Sequence, residues 1–150
     1  MVAGVTPPNL PGVGAPRGTL TGSLDELTEA EKRFVEHQLS QGKNVEVVPR
    51  GAGRTPDFKI DGIQTELKTL SGVAKQTPDG LSSATASRIM DGRGQATQIT
   101  VDARGQAGMT RDIAERGIRR AYGADNKLGG KIQSIQVIGD GFELTVRRAQ

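Results

Sequence analysis

A chain of 150 residues with 34% hydrophobic content suits one domain with an economical core, or a smaller domain carrying a tail. With no cysteine, disulfides, thiol catalysis and thiolate zinc sites are excluded; with one histidine, His37, so are two-histidine RNA transphosphorylation and histidine-ligated metal-finger nucleases. Formal charge is +3 and uneven: Lys plus Arg against Asp plus Glu is 9 to 10 over residues 1–85 and 11 to 7 over residues 86–150, so the second part is +4. No run of 18 apolar residues and no basic-then-apolar leader is present, which predicts neither membrane insertion by this domain nor a signal peptide of its own.

Residues 1–22 hold four of the seven prolines and five glycines with no hydrophobic period, and are expected to be a flexible linker ahead of a folded domain over 23–150. The opening has the look of a terminal module joined to something longer. Thr28 followed by Glu31 is a capping-box pattern, and Gly42 is a stop for the helix between them. On a wheel of about 100° per residue, Leu27, Phe34, Val35 and Leu39 flank Glu31, while Glu36 projects away. A glutamate in the middle of an apolar stripe needs a reason.

Strands are predicted over 44–50, 57–61 and 63–70, the last two joined through Asp61-Gly62, a hairpin turn signal. A helix is predicted over 82–96, a strand over 98–104, a helix over 110–123 with Thr110 as its cap, and two strands within 131–148 around Gly139-Asp140-Gly141. The fold class is therefore α/β, a mixed central sheet with flanking helices.

Within "TPDFKIDGIQTELKTL" (55–70), Glu66 and Lys68 are two apart on one strand and share a face, while Asp57 belongs to the neighbouring strand. Either they form an ordinary ion pair on a half-exposed sheet, or they form a site. Convergent carboxylates without histidine or cysteine make an all-oxygen site suited to magnesium or manganese. A lysine beside it can orient a water or stabilise charge on a phosphate.

Pro56-Asp57, eight residues, then Glu66-Leu67-Lys68 resembles the signature of the PD-(D/E)xK nuclease superfamily. "EAEKRFVEHQLSQGKNVEVV" is similar to the first helix and strand of its Holliday-junction-resolvase-like members. The resemblance covers about residues 24–104 and implies a restriction-endonuclease-like core in the order α-β-β-β-α-β. It implies Asp57, Glu66 and Glu31 as ligands of a divalent metal, Mg2+ or Mn2+ with Zn2+ as an alternative, and Lys68 near the attacking water. "GKNVEVVPR…GRTPDFKIDGIQTELKTL" and "GRGQATQITVDARGQAG" further resemble the C-terminal toxin modules of CdiA-type contact-dependent growth inhibition proteins, a group of polymorphic toxins. That likeness adds Gln95 as a residue near the active site. It also implies delivery from the cell surface within a larger effector, action in the target bacterial cytoplasm, and a cognate immunity protein.

The expectation from this resemblance is a metal-dependent endonuclease toxin that cleaves tRNA. A DNA endonuclease of the same fold and a non-catalytic nucleic-acid-binding module remain open beside it. Arg88, Arg104, Arg119, Arg120, Arg147 and Arg148 are expected to grip phosphates. Three phenylalanines, one tyrosine and no tryptophan leave few platforms for stacking unpaired bases, which favours a folded backbone as the target.

Overall fold

Thr28 caps the first helix, α1 (Glu29–Ser40), by accepting from the Glu31 N–H at 3.1 Å, while the Glu31 carboxylate accepts from the Thr28 N–H at 2.8 Å. The helix ends where the Gly42 and Lys43 N–H groups return to the Leu39 and Gln38 carbonyls. The computed structural model describes residues 17–25, 27–48 and 58–148. These fall in two compact units, Met1–Ile63 and Gln64–Gln150.

In the first unit, α1 turns Phe34, Val35 and Leu39 inward with Glu31 and Gln38. Phe34 meets Phe58 with ring centroids 5.1 Å apart, and full burial of such a side chain stabilises by about 1.5–3 kcal/mol. Three short strands accompany the helix: β1 (Leu20–Thr21), β2 (Val45–Val47) and β3 (Phe58–Ile60). β2 runs parallel to β1 and antiparallel to β3. Residues 17–22, expected to close the linker, are instead tied down. Leu20 and Thr21 pair with Val45 and Glu46, Asn44 Oδ1 accepts from the Thr19 N–H at 3.0 Å, and Arg17 holds Glu36. After β3 the chain turns at Asp61 and Gly62, with φ of 50° and 82°, the geometry that the Asp-Gly pair predicts.

The second unit contains β4 (Ile63–Thr69, its first residue closing the first unit), α2 (Pro78–Asp91), β5 (Gln98–Asp102), α3 (Arg111–Lys127), β6 (Ser134–Gly139) and β7 (Phe142–Arg147). The strands lie in the order β4-β5-β6-β7, parallel as far as β6 and antiparallel at β7. From α1 to β5 the element order is α-β-β-β-α-β, as expected. α2 starts earlier than the predicted helix because Thr77 caps it and Pro78 fits its first turn, where no N–H is needed. It also ends earlier, so residues 92–96 form a turn. α3 runs past Gly123 to Lys127.

One face of this sheet presents Ile99, Val101, Ile135 and Val137 to Ile89, Ala114, Ile118 and Ala121 of the two helices. α2 and α3 touch closely because Gly117 has no side chain. A Cβ there would stand 2.7 Å from the Thr85 Cβ.

Asp125, fully buried near the end of α3, gathers the unit's loose ends. Its Oδ1 accepts from Arg93 Nε at 2.5 Å and the Lys131 N–H at 3.1 Å; its Oδ2 accepts from the Ile132 N–H at 3.1 Å and from Arg148. The Arg148 guanidinium also stacks 5.4 Å from the Tyr122 ring centroid. Burial alone would raise the Asp125 carboxyl, but the bonds from Arg93 and the two amides, with the Arg148 charge, hold it below the usual carboxylate range. Burial pushes the Tyr122 hydroxyl up to about 12 while it donates to the Val146 carbonyl at 2.7 Å.

Asp125→Asn leaves two guanidiniums facing an uncharged partner and is expected to cost about 3–5 kcal/mol in urea unfolding at neutral pH. Because the folded carboxyl is lowered, its stabilisation is complete above the unfolded value of about 3.9 and is lost as pH falls below it. Wild-type stability should therefore fall more steeply than the variant's below about pH 4.

Candidate functional site around Glu66, Lys68 and Gln95

β4 alternates, and its even-numbered positions Glu66 and Lys68 fall beside Ile99 and Val101, on the face that carries the helices. Glu66 is 6% exposed, and Lys68 Nζ lies 3.3 Å from its Oε2. This is not the half-exposed pair that the alternation alone allows. Removing a carboxylate and an ammonium from water costs several kcal/mol each unless their partners offset it. A buried acid–lysine pair beside apolar neighbours makes this a candidate site.

Gly92, the C-cap of α2, forms the wall over it. A Cβ at Gly92 would meet Ile99 Cδ1 at 2.9 Å and Glu66 Cγ at 3.3 Å. Only glycine lets the backbone lie so close. Gln95 follows on the turn that Gly92 begins, with its N–H donating to the Gly92 carbonyl at 3.0 Å. It is therefore a turn residue and not the last polar position of a helix. Its Oε1 is buried and accepts no hydrogen bond, an arrangement that native interiors rarely keep without a ligand or a water.

The other expected site residues stand apart from this description. Asp57 lies outside the described residues. Glu31 belongs to the first unit, is 9% exposed, and gives one carboxylate oxygen to the capping box. That cap supplies a structural reason for its inward position. Among the described residues, no three His, Cys, Asp or Glu side chains are grouped to hold a metal ion. The carboxylate of Glu66 and the amide oxygen of Gln95 are hard donors of the kind that magnesium and manganese take.

The arginines divide sharply. Arg88 donates to the Thr69 carbonyl at 3.0 Å and pairs with Asp91 at 2.9 Å; Arg120 pairs with Asp79 at 3.1 Å. Arg104 grips Asp102 with two bonds of 2.9 and 2.7 Å, which raises its pKa further, and Arg148 belongs to the Asp125 cluster. These four spend donors on their own fold. Arg119 and Arg147 are exposed, Arg119 in a loose 3.5 Å pair with Glu115. Arg116, not singled out by the sequence, is exposed beside it on α3. Arg147 lines an open concavity of about 270 Å³ with Tyr122, Asn126, Val146 and Arg148.

The sheet's opposite face carries polar side chains that sequence reasoning passed over. Gln98 donates to Thr65 at 2.9 Å, Thr100 to Gln136 at 3.2 Å, and Gln136 to Glu143 at 2.5 Å. The alternation of "QITVD" suggests one solvated face, but in the structure its polar half is nearly as buried as its apolar half.

Gly92→Ala is expected to lose about 1–3 kcal/mol in urea unfolding, since Ile99 and Glu66 must shift. Gly123→Ala, in α3 with nothing within 4 Å of the new methyl, should gain about 0.5–1 kcal/mol.

Comparison with known proteins places the chain in a family. The family described as contact-dependent growth inhibition CdiA C-terminal domain matches residues 54–144, more than half of the chain and inclusive of Glu66, Lys68, Gly92 and Gln95. No curated protein matches the chain. Among solved structures, it is similar to the CdiA-CT/CdiI toxin and immunity complex from Burkholderia pseudomallei, at 16% identity and a TM-score of 0.50, over 87% of this chain and 100% of that one. At such identity the likeness is one of fold. Among the described residues no helix is long and apolar enough to cross a membrane. The matched segment carries the buried acid–lysine pair and the turn that covers it, and the chain belongs to the CdiA C-terminal domain family of contact-dependent growth inhibition, as a toxin domain of a larger effector.

Proposed function

We propose that this toxin domain is a metal-dependent endonuclease of the PD-(D/E)xK kind, with tRNA as its substrate. The observation that carries the reading is the buried Glu66–Lys68 pair, 3.3 Å apart beneath the Gly92 turn. Glu66 would be a ligand of a magnesium or manganese ion, the role that the sequence resemblance also implies for Asp57 and Glu31; the ion would polarise the scissile phosphate and lower the pKa of a water. Lys68 holds a positive charge where the attacking water and the phosphate oxygens meet, and stabilises the negative charge that grows as the P–O bond breaks. Gln95 supplies a buried amide oxygen to orient that water. Exposed Arg119, Arg116 and Arg147 hold the phosphate backbone. A folded RNA suits this surface because base stacking platforms are scarce.

The domain would act in the cytoplasm of the target cell, and the producing cell would need a dedicated inhibitor. The structural neighbour is a complex of a toxin with its immunity protein. A net acidic immunity protein matches the exposed arginines and would be captured quickly by them.

The purified domain, incubated with total tRNA or with supercoiled plasmid in Mg2+ or Mn2+, is expected to cut tRNA. Asp57→Ala, Glu66→Gln and Lys68→Met should each slow cleavage about a hundredfold or more, and EDTA should stop it. Cleavage of plasmid alone would make it a DNA endonuclease. A closed Glu66–Lys68 pair is also what a catalytically silent binding module would keep, and binding to both nucleic acids without cleavage would establish that reading.

Tenfold more salt is expected to weaken tRNA binding steeply, and Arg119→Glu and Arg147→Glu should reduce both the affinity and the slope. Arg104→Glu should act instead on stability, because it sets two carboxylates against each other at Asp102. A flat salt response would remove the arginines from recognition.

A further inference from the structure

The Asp125 cluster and the turn over Glu66 are joined by one side chain. Arg93 follows Gly92 directly, and its guanidinium reaches back to Asp125 Oδ1 at 2.5 Å and to the Leu128 carbonyl at 2.6 Å. Its own N–H donates to the Met90 carbonyl at 3.1 Å, and its side chain is 16% exposed. The loop of five residues, 92–96, opens on the last carbonyls of α2, those of Ile89 and Met90, and closes with a bridge between Arg93 and Ala96. It sets the wall against Glu66 Cγ and fixes the backbone of Gln95.

Asp125 is itself over-determined. Two amides and two guanidiniums direct its carboxylate, so it cannot rotate without breaking several charge-assisted bonds. Such a fixed anion makes the Arg93 position rigid, and Arg93 passes that rigidity to the turn. The second contact satisfies the carbonyl of Leu128 at the end of α3 and sets the plane of the guanidinium as well as its place.

We propose that Asp125 is a positioning residue for the Glu66 site, acting through Arg93 to hold the Gly92–Ala96 turn in place. It touches neither substrate nor water. The role rests on the reading of Glu66 and Gln95 as catalytic. Loss of the link would let the turn lift from Glu66 and would blur the Gln95 amide, lowering turnover while the exposed arginines still bind nucleic acid.

Arg93→Met in the full chain cuts the link and leaves Asp125 paired with Arg148. Amide exchange over Gly92–Ala96 is expected to speed at least about tenfold while the middle of α3 keeps its protection. For whichever nucleic acid the wild type cuts, kcat should fall at least about tenfold with KM within about twofold, the split expected when an interaction made only in the transition state is lost. Arg93→Lys, which keeps the charge without the planar fork, should give an intermediate exchange rate. Ile113→Val, three turns back on α3 and about 18 Å from Asp125 along the axis, lowers stability without touching the turn and should leave kcat unchanged. Exchange that speeds uniformly through the second unit, a turn as protected as in the wild type, or an equal kcat loss in Ile113→Val overturns the proposal. Should the wild type cut neither RNA nor DNA, the nuclease reading fails on its own, and exchange at the turn still decides whether Asp125 holds it.

Discussion

A single buried carboxylate organises the second unit. Asp125 has no access to water, and an isolated anion in such a place would be protonated or expelled. Its four donors come from the turn after α2, the loop before β6 and the end of β7, so satisfying the charge brings two pieces of chain 32 and 23 residues away to the end of α3, beside the loop that follows it. Hydrophobic burial packs the helices on the sheet but is indifferent to small slides. The carboxylate is not. It fixes where α2 stops relative to α3, and so where the polar turn falls on the sheet.

Much of the framework was legible. The capping box at Thr28, the stop at Gly42, the Asp61-Gly62 turn and the strands 63–70 and 98–104 each follow from a local rule that the structure obeys. The Glu66–Lys68 contact follows from a period of two. What local rules could not show was the company that each residue keeps. Glu31 was visible both as a cap and as an intruder in an apolar stripe, and only the 2.8 Å bond shows that one oxygen is already spent on the cap. Leu20 and Thr21 sit in a Pro/Gly-rich opening, and nothing in their neighbours announces a pairing with Val45 and Glu46, some 25 positions on. The helix predicted from residue 82 begins four residues earlier, at Pro78, where the Thr77 side chain caps it.

The arginines make the same point about charge. Counting them located an excess in the second part of the chain, which is real, but the count cannot separate a guanidinium that faces solvent from one that holds the fold. Arg147 and Arg148 are adjacent in sequence and differ in role. Both border the open concavity, but Arg148, just past the end of β7, turns its guanidinium to Asp125 and Tyr122, while Arg147 stays exposed. Adjacent arginines are therefore poor evidence for a patch, whereas Arg116 and Arg119, three apart on a helix, do share a face.

The polar row on the second face of the sheet has a consequence beyond the folded state. Parallel strands buried on both faces usually read as continuous runs of valine, isoleucine and leucine. Here Thr65, Gln98, Thr100 and Gln136 interrupt every such run, and their hydrogen bonds to one another satisfy them once the strands are paired. An unfolded copy of this chain therefore offers none of these strands as the long, uncharged apolar segment that seeds cross-β aggregation. The side chains that look wasteful in a small core thus also act on the extended polypeptide, where they disfavour self-association.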